Sequence, residues 1–175
     1  MTILSRRIAL ALAAAVVAIA ATRLEAEAMQ VPDDMRAAIE AVIADEDAAW
    51  NRGDATGFAR HATDDVIFTN VVGMFTVGRG PFTRQSARIF AGRYRGSHLV
   101  QTVEHIRFVR PDVAIVNTMF AVTGYASLPP GARSDDGVLR TRSEQVMTFD
   151  DGRWHVASFH NVPVDLAAIA AAGPP

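Results

Sequence analysis

The chain has 175 residues, half of them apolar, and a formal net charge of −2. That is enough for one domain with a real core, and the wrong charge balance for a nucleic-acid partner, which requires a basic patch. There is no Cys and no Lys, so disulfides, thiolate nucleophiles, cysteine metal sites and lysine bases are all excluded.

At the N-terminus, Arg6 and Arg7 precede the apolar run from Ile8 to Ala21, which is too short to span a bilayer as a mature helix. Ala26-Glu27-Ala28 then supplies a small-x-small cleavage site. Together they predict a signal peptide over residues 1–28 and an exported mature chain over 29–175. The destination is periplasmic or secreted, and the membrane is met only through the uncleaved signal. An uncleaved anchor would need a longer or more apolar stretch. Ser5-Arg6-Arg7-Ile8-Ala9-Leu10 also matches part of a twin-arginine signal, but Ala9 stands where that signal carries an aromatic. The general export route is preferred. Loss of Arg6, Arg7, Arg23, Glu25 and Glu27 with the signal moves the charge from −2 to −3.

Asp33 or Asp34 can cap a first helix, in which Met35, Ile39, Val42, Ile43 and Trp50 recur at helical spacing. Gly53 ends it. Asp54 caps a short second helix through Phe58 to Ala62. Asp65–Asn70 and Gly73–Val77 read as strands across a tight connection, and Gly78 and Gly80 turn the chain into a third helix, about 82–91. Four long strands follow, at 98–109, 113–125, 138–149 and 153–162, separated by Arg110-Pro111-Asp112, a Pro/Gly-rich loop over 128–137, and Asp150-Asp151-Gly152. Asp165–Ala172 reads as a short Ala-rich helix before a frayed Gly173-Pro174-Pro175. Helices followed by a long antiparallel meander predict an α+β domain with three N-terminal helices packed on a strongly curved antiparallel sheet enclosing a pocket.

Several strings then converge. Trp50-Asn51-Arg52-Gly53-Asp54 and Asp64-Asp65-Val66 resemble ketosteroid-isomerase-like and SnoaL-like proteins of the nuclear-transport-factor-2-like superfamily. Phe68-Thr69-Asn70-Val71-Val72-Gly73-Met74 with Gly78-Arg79-Gly80 resembles more particularly its SgcJ/EcaC group. So do Arg110-Pro111-Asp112-Val113-Ala114, Asp151-Gly152-Arg153-Trp154 and His160-Asn161. The resemblance spans Asp33 to Val164. It implies a cone-shaped domain over 33–164, a small hydrophobic or polyketide-like ligand, a homodimer through the sheet, and cofactor-free isomerase, cyclase or dehydratase-like chemistry. Binding or dimerisation without catalysis is the alternative. The group is often labelled oxidoreductase, but nothing in these residues supports a redox cofactor, and no cofactor is expected.

Glu46 lies on the apolar stripe of the first helix. Lost solvation there raises its pKa and suits it to general acid or base work. A position at the rim, or a structural hydrogen bond, is the plainer reading. Asn70 falls where the resemblance puts the proton-abstracting Asp of ketosteroid isomerases. An amide is no useful base, so Asn70 either orients a ligand or satisfies backbone groups at a turn. Adjacent residues of a regular strand face apart, so one of His160 and Asn161 enters the pocket. His160 is preferred, sharing a face with Trp154, Val156 and Ser158. It is the second catalytic candidate beside Glu46, with Asn161 a ligand-binding one. Trp50 is core with a pocket-facing edge. Met119 and Tyr125 share a strand face that can line the cavity, although Met119 is more simply a core filler. The histidines have no zinc-site spacing. Gly78-Arg79-Gly80 lacks the third glycine of a dinucleotide fingerprint.

Overall fold

The computed structural model describes residues 33–173. The export-signal reading, over residues 1–28, lies outside that range, as do Pro174 and Pro175 of the tail. The first helix, α1 (Asp33–Asn51), buries Ile39, Val42, Ile43, Glu46, Ala49 and Trp50, the stripe expected from its periodicity. Gly53 follows it with φ +65°, a conformation a residue with a Cβ adopts only under strain. Asp54 then caps α2 (Ala55–Phe58) by accepting a hydrogen bond from Gly57 N at 2.8 Å. The second helix is shorter than expected, because Ala62 already opens the first strand.

The strands are β1 (Ala62–Thr69), β2 (Phe75–Val77), β3 (His98–Arg110), β4 (Val113–Thr123), β5 (Leu139–Asp150) and β6 (Arg153–Pro163). Between β2 and β3 lies α3 (Arg79–Ala91), and α4 (Leu166–Ala172), capped by Asp165, closes the described chain. The sheet order is β2-β1-β6-β5-β4-β3, and the sheet is open, with β2 and β3 at its edges. One expectation is corrected here. The sheet is mixed, not wholly antiparallel, because β1 pairs with β6 in parallel. The meander β3–β6 returns its last strand beside β1, and the intervening α3 and four strands, β2 to β5, leave the two running the same way.

The edge at β3 is covered from α1. Asn51 Nδ2 donates to Leu99 O (2.9 Å), and its Oδ1 accepts from Leu99 N (2.7 Å). Asp47 Oδ2 accepts from Gln101 N (3.0 Å). Four helical residues advance ~6 Å and two strand residues ~6.6 Å, so two side chains one helical turn apart match alternate peptides of the strand. An edge that would otherwise template another chain is thereby blocked, and α1 is fixed in register against the sheet. That register places Glu46 and Trp50 on the inner side of the helix.

Candidate functional site

Between α1, α3 and the inner sheet face lies a cavity of about 150 Å³. Its walls include the rings of Trp50, Phe58, Phe68, Tyr94, Phe120 and Phe159. These rings hold one another in place. Trp50 meets Phe58 edge-on at 5.6 Å, Phe68 stacks on Phe82 at 4.4 Å, and Phe159 sits 5.3 Å from Phe68 and 6.0 Å from Phe120. The Trp50 indole N–H donates to Ser97 Oγ at 3.0 Å, which fixes the ring and leaves its apolar face as wall. Asn70 to Val72 and Met74, from the β1–β2 connection, and Pro129 and Pro130, from the β4–β5 loop, complete the lining with residues of α3 and β5.

Polar groups are few. Gln85, Arg93, Tyr94, Thr141 and Asn161 contribute, and Arg93 is the one lining residue with a formal charge. Burial pushes the Tyr94 phenol up to about 12, so it remains a neutral donor. Thr141 Oγ1 and Asn161 Oδ1 are buried and have no hydrogen-bond partner among the described residues. A buried polar atom without a partner is costly; both residues line the cavity, and these two oxygens lie beneath its surface.

The structure puts Trp50, Asn70 and Asn161 on this wall and four other sequence candidates away from it. Asn70 is largely occupied by its turn, since its Oδ1 accepts from Val72 N (3.0 Å) and Met74 N (2.9 Å). His160 is a correction. The β5–β6 register shifts between Val146 and Met147, where Ser158 and Val156 are the successive partners and Ala157 is extra. This bulge resets the alternation. Trp154 and Val156 are buried before it, and Phe159 and Asn161 face the cavity after it, so His160 is exposed. A regular strand could not have done this. Met119 is also corrected. On β4 the inward residues are Ala114, Val116, Thr118, Phe120 and Val122, which leaves Met119 on the other face. Tyr125 lies beyond the end of β4, half-buried against the core and off the cavity wall.

Glu46 is 3% exposed but is not a wall residue. One carboxylate oxygen accepts from Gln145 Nε2 (2.9 Å) and Gln101 Nε2 (3.2 Å). Thr118 Oγ1 donates to Gln101 Oε1 (3.2 Å), so the Ser143 hydroxyl supplies the proton in the 2.7 Å contact with Thr118. Burial lifts the Glu46 carboxyl from 4.5 to about 7, opposed by the two amide hydrogen bonds and helped by neighbouring Asp47. Asp47 is itself raised, chiefly by burial. The expectation of a raised pKa holds, but the side chain lies in a polar layer behind the cavity.

Sequence reasoning missed Arg93, Tyr94, Gln85 and Thr141 on the wall, and Gln101 and Gln145 behind it. The glutamines carried a usable signal: each stands on the inward alternation of its strand, between buried neighbours at Leu99 or at Ser143 and Met147.

No protein-family model matches the chain, and no curated protein does. Solved structures do. An uncharacterised protein with a cystatin-like fold from Caulobacter vibrioides superposes with TM-score 0.69 at 23% identity, over 79% of this chain and 95% of that one. A candidate dehydratase of the NTF2-like family from Streptomyces avermitilis gives 0.63 at 19%, over 77% and 99%. A ketosteroid isomerase-like protein from Erwinia carotovora atroseptica gives 0.58 at 16%, over 74% and 95%. At such identities the likeness is one of fold. The chain has the nuclear-transport-factor-2-like, or cystatin-like, α+β fold.

Proposed function

We propose that this protein binds a small, largely apolar molecule in the cavity between α1, α3 and the sheet. The observation that carries the reading is a preformed aromatic wall, Trp50, Phe58, Phe68, Phe120 and Phe159, interrupted by a few polar lining residues, among them Gln85, Arg93 and Tyr94. Concave, mostly apolar sites with a few convergent polar groups are the usual form of small-molecule sites. The test is calorimetric titration of the purified protein with single-ring aromatic probes, beside an Ile89→Trp variant that fills the cavity from the α3 wall. Binding that Ile89→Trp abolishes, with cooperative unfolding retained, supports the reading. No binding of any such probe at millimolar concentration sinks it.

Cofactor-free acid/base chemistry of the isomerase or dehydratase kind is the second reading. It draws on Glu46, whose carboxyl titrates near neutrality, and requires a substrate to reach that carboxyl past Gln101 and Gln145. The likeness of the Streptomyces avermitilis and Erwinia carotovora proteins is consistent with it. Assignment to the SgcJ/EcaC type, export with cleavage after Ala28, and a homodimer through the outer sheet face belong to the same proposal. Mass determination of the mature N-terminus tests export, and the solution mass at micromolar concentration tests the dimer.

A further inference from the structure

Arg93 gives the cavity a sign. It is half-buried just past the C-terminal end of α3, and its Nη1 donates to Leu128 O of the loop that supplies Pro129 and Pro130. Among the described residues no carboxylate pairs with it, and no Asp, Glu or His lines the cavity. Guanidinium stays protonated at any physiological pH. A fixed positive charge therefore stands at an apolar-walled site with no protein counter-charge, where low dielectric strengthens its attraction for an anion.

Thr141 and Tyr94 line the same space. Thr141 is 3% exposed, and its hydroxyl has no partner. Tyr94 is 8% exposed and keeps its phenolic proton. The size of the space limits what comes with the charge. An apolar cavity of ~150 Å³ is known to hold one benzene ring, and the volume here is about 150 Å³. A fused polycyclic ligand would have to extend out of the cavity mouth.

We propose that the cavity selects a single-ring carboxylate, held with its anionic end on the Arg93 guanidinium and its ring among Phe68, Phe120 and Phe159. This inference rests on the reading of the cavity as a ligand site and adds the ligand's charge and size to it. Arg–carboxylate hydrogen bonds are charge-assisted and geometrically matched, so the acid binds more tightly than its neutral isostere.

The experiment is calorimetric titration of the purified protein with benzoate and with benzamide, repeated on Arg93→Gln. The shorter Gln side chain removes the charge together with the hydrogen bond to Leu128 O. Benzoate binding roughly tenfold or more tightly than benzamide, with the preference falling to near unity in Arg93→Gln, supports the proposal. Equal affinities in the unaltered protein, or a preference that survives Arg93→Gln in a folded protein, overturn it and leave the cavity reading standing. Failure of both probes to bind at millimolar concentration overturns the cavity reading and this inference together. If Arg93→Gln does not fold, the benzoate-to-benzamide ratio of the unaltered protein decides alone, at low and high salt. An anion preference that weakens with salt supports the proposal, and no preference refutes it.

Discussion

The buried carboxyl of Glu46 should make stability depend on pH in the direction opposite to a salt-bridged acid. Its pKa is 4.5 in the unfolded chain and about 7 in the native protein. The native state therefore holds a proton that the unfolded state releases. The associated stability is fully present below pH 4.5 and is lost as pH rises through about 7. Within that window each pH unit removes ~1.4 kcal/mol, so the native state loses about 3 kcal/mol between acid and mildly alkaline solution. Glu46→Gln keeps the shape of the neutral acid and cannot ionise. Its stability relative to the unaltered protein should therefore rise by about 3 kcal/mol from pH 4 to pH 8, on the order of 10 °C in Tm for a domain of this size. Urea unfolding of both proteins across that range, followed by circular dichroism, measures the difference, in which titrating groups not coupled to Glu46 cancel; neighbouring Asp47 is coupled to it. A difference constant to within about 0.5 kcal/mol would refute the argument, and would mean that water or a cation reaches the carboxylate in solution.

The bulge at Ala157 predicts opposite outcomes for neighbouring residues. In urea unfolding, Phe159→Ala should cost about 3–5 kcal/mol, because the ring is buried among other aromatics, whereas His160→Ala should change stability by less than about 0.5 kcal/mol. Asn51→Ala removes both hydrogen bonds to Leu99 on the edge strand. It should cost about 1 kcal/mol, seen as faster hydrogen exchange at the Leu99 amide with the centre of the sheet unchanged.

The elements could be read from the sequence because each rests on local physics. The stripe through Ile39, Val42, Ile43 and Trp50 can only be one face of a helix, and the turns at Gly53, Asp151 and Gly152 take positive φ where the sequence offers residues that tolerate it. The string Trp50-Asn51-Arg52-Gly53-Asp54 is explained as structure. Trp50 builds the core, Asn51 pairs the edge strand, Gly53 turns the chain and Asp54 caps the next helix. Long-range facts were not legible. The parallel pairing of β1 with β6 depends on where a meander ends. The bulge at Ala157 inverts the phase of the strand after it without a Gly or Pro at the bulge to mark it. Met119 and Phe120 are both plausible inward residues until the pairing of β4 with β3 and β5 fixes the alternation. Arg93 and Thr141 meet only through the fold, so no spacing in the chain could have joined them.

The chemistry of the cavity and the chemistry of Glu46 are separated by amides, and this separation bears on catalysis. Direct proton transfer needs the acid or base within hydrogen-bond reach of the reacting atom. Among the described residues no carboxylate or imidazole lines the cavity, and the Glu46 oxygen that accepts hydrogen bonds faces Gln101 and Gln145. The hydroxyls of Ser143 and Thr118 lead to the carbonyl of Gln101, and a primary amide is a poor relay because its N–H is far too weak an acid to pass a proton on. Glu46 thus works best as the anchor that fixes α1 against β3 and β5, setting the position of Trp50 one turn away. If turnover is found, this arrangement requires Glu46→Gln to act mainly through ligand affinity and stability, with little change in kcat. A large loss of kcat with affinity and fold intact would instead place the carboxyl in contact with substrate, through a movement of Gln145 that opens the polar layer to the cavity.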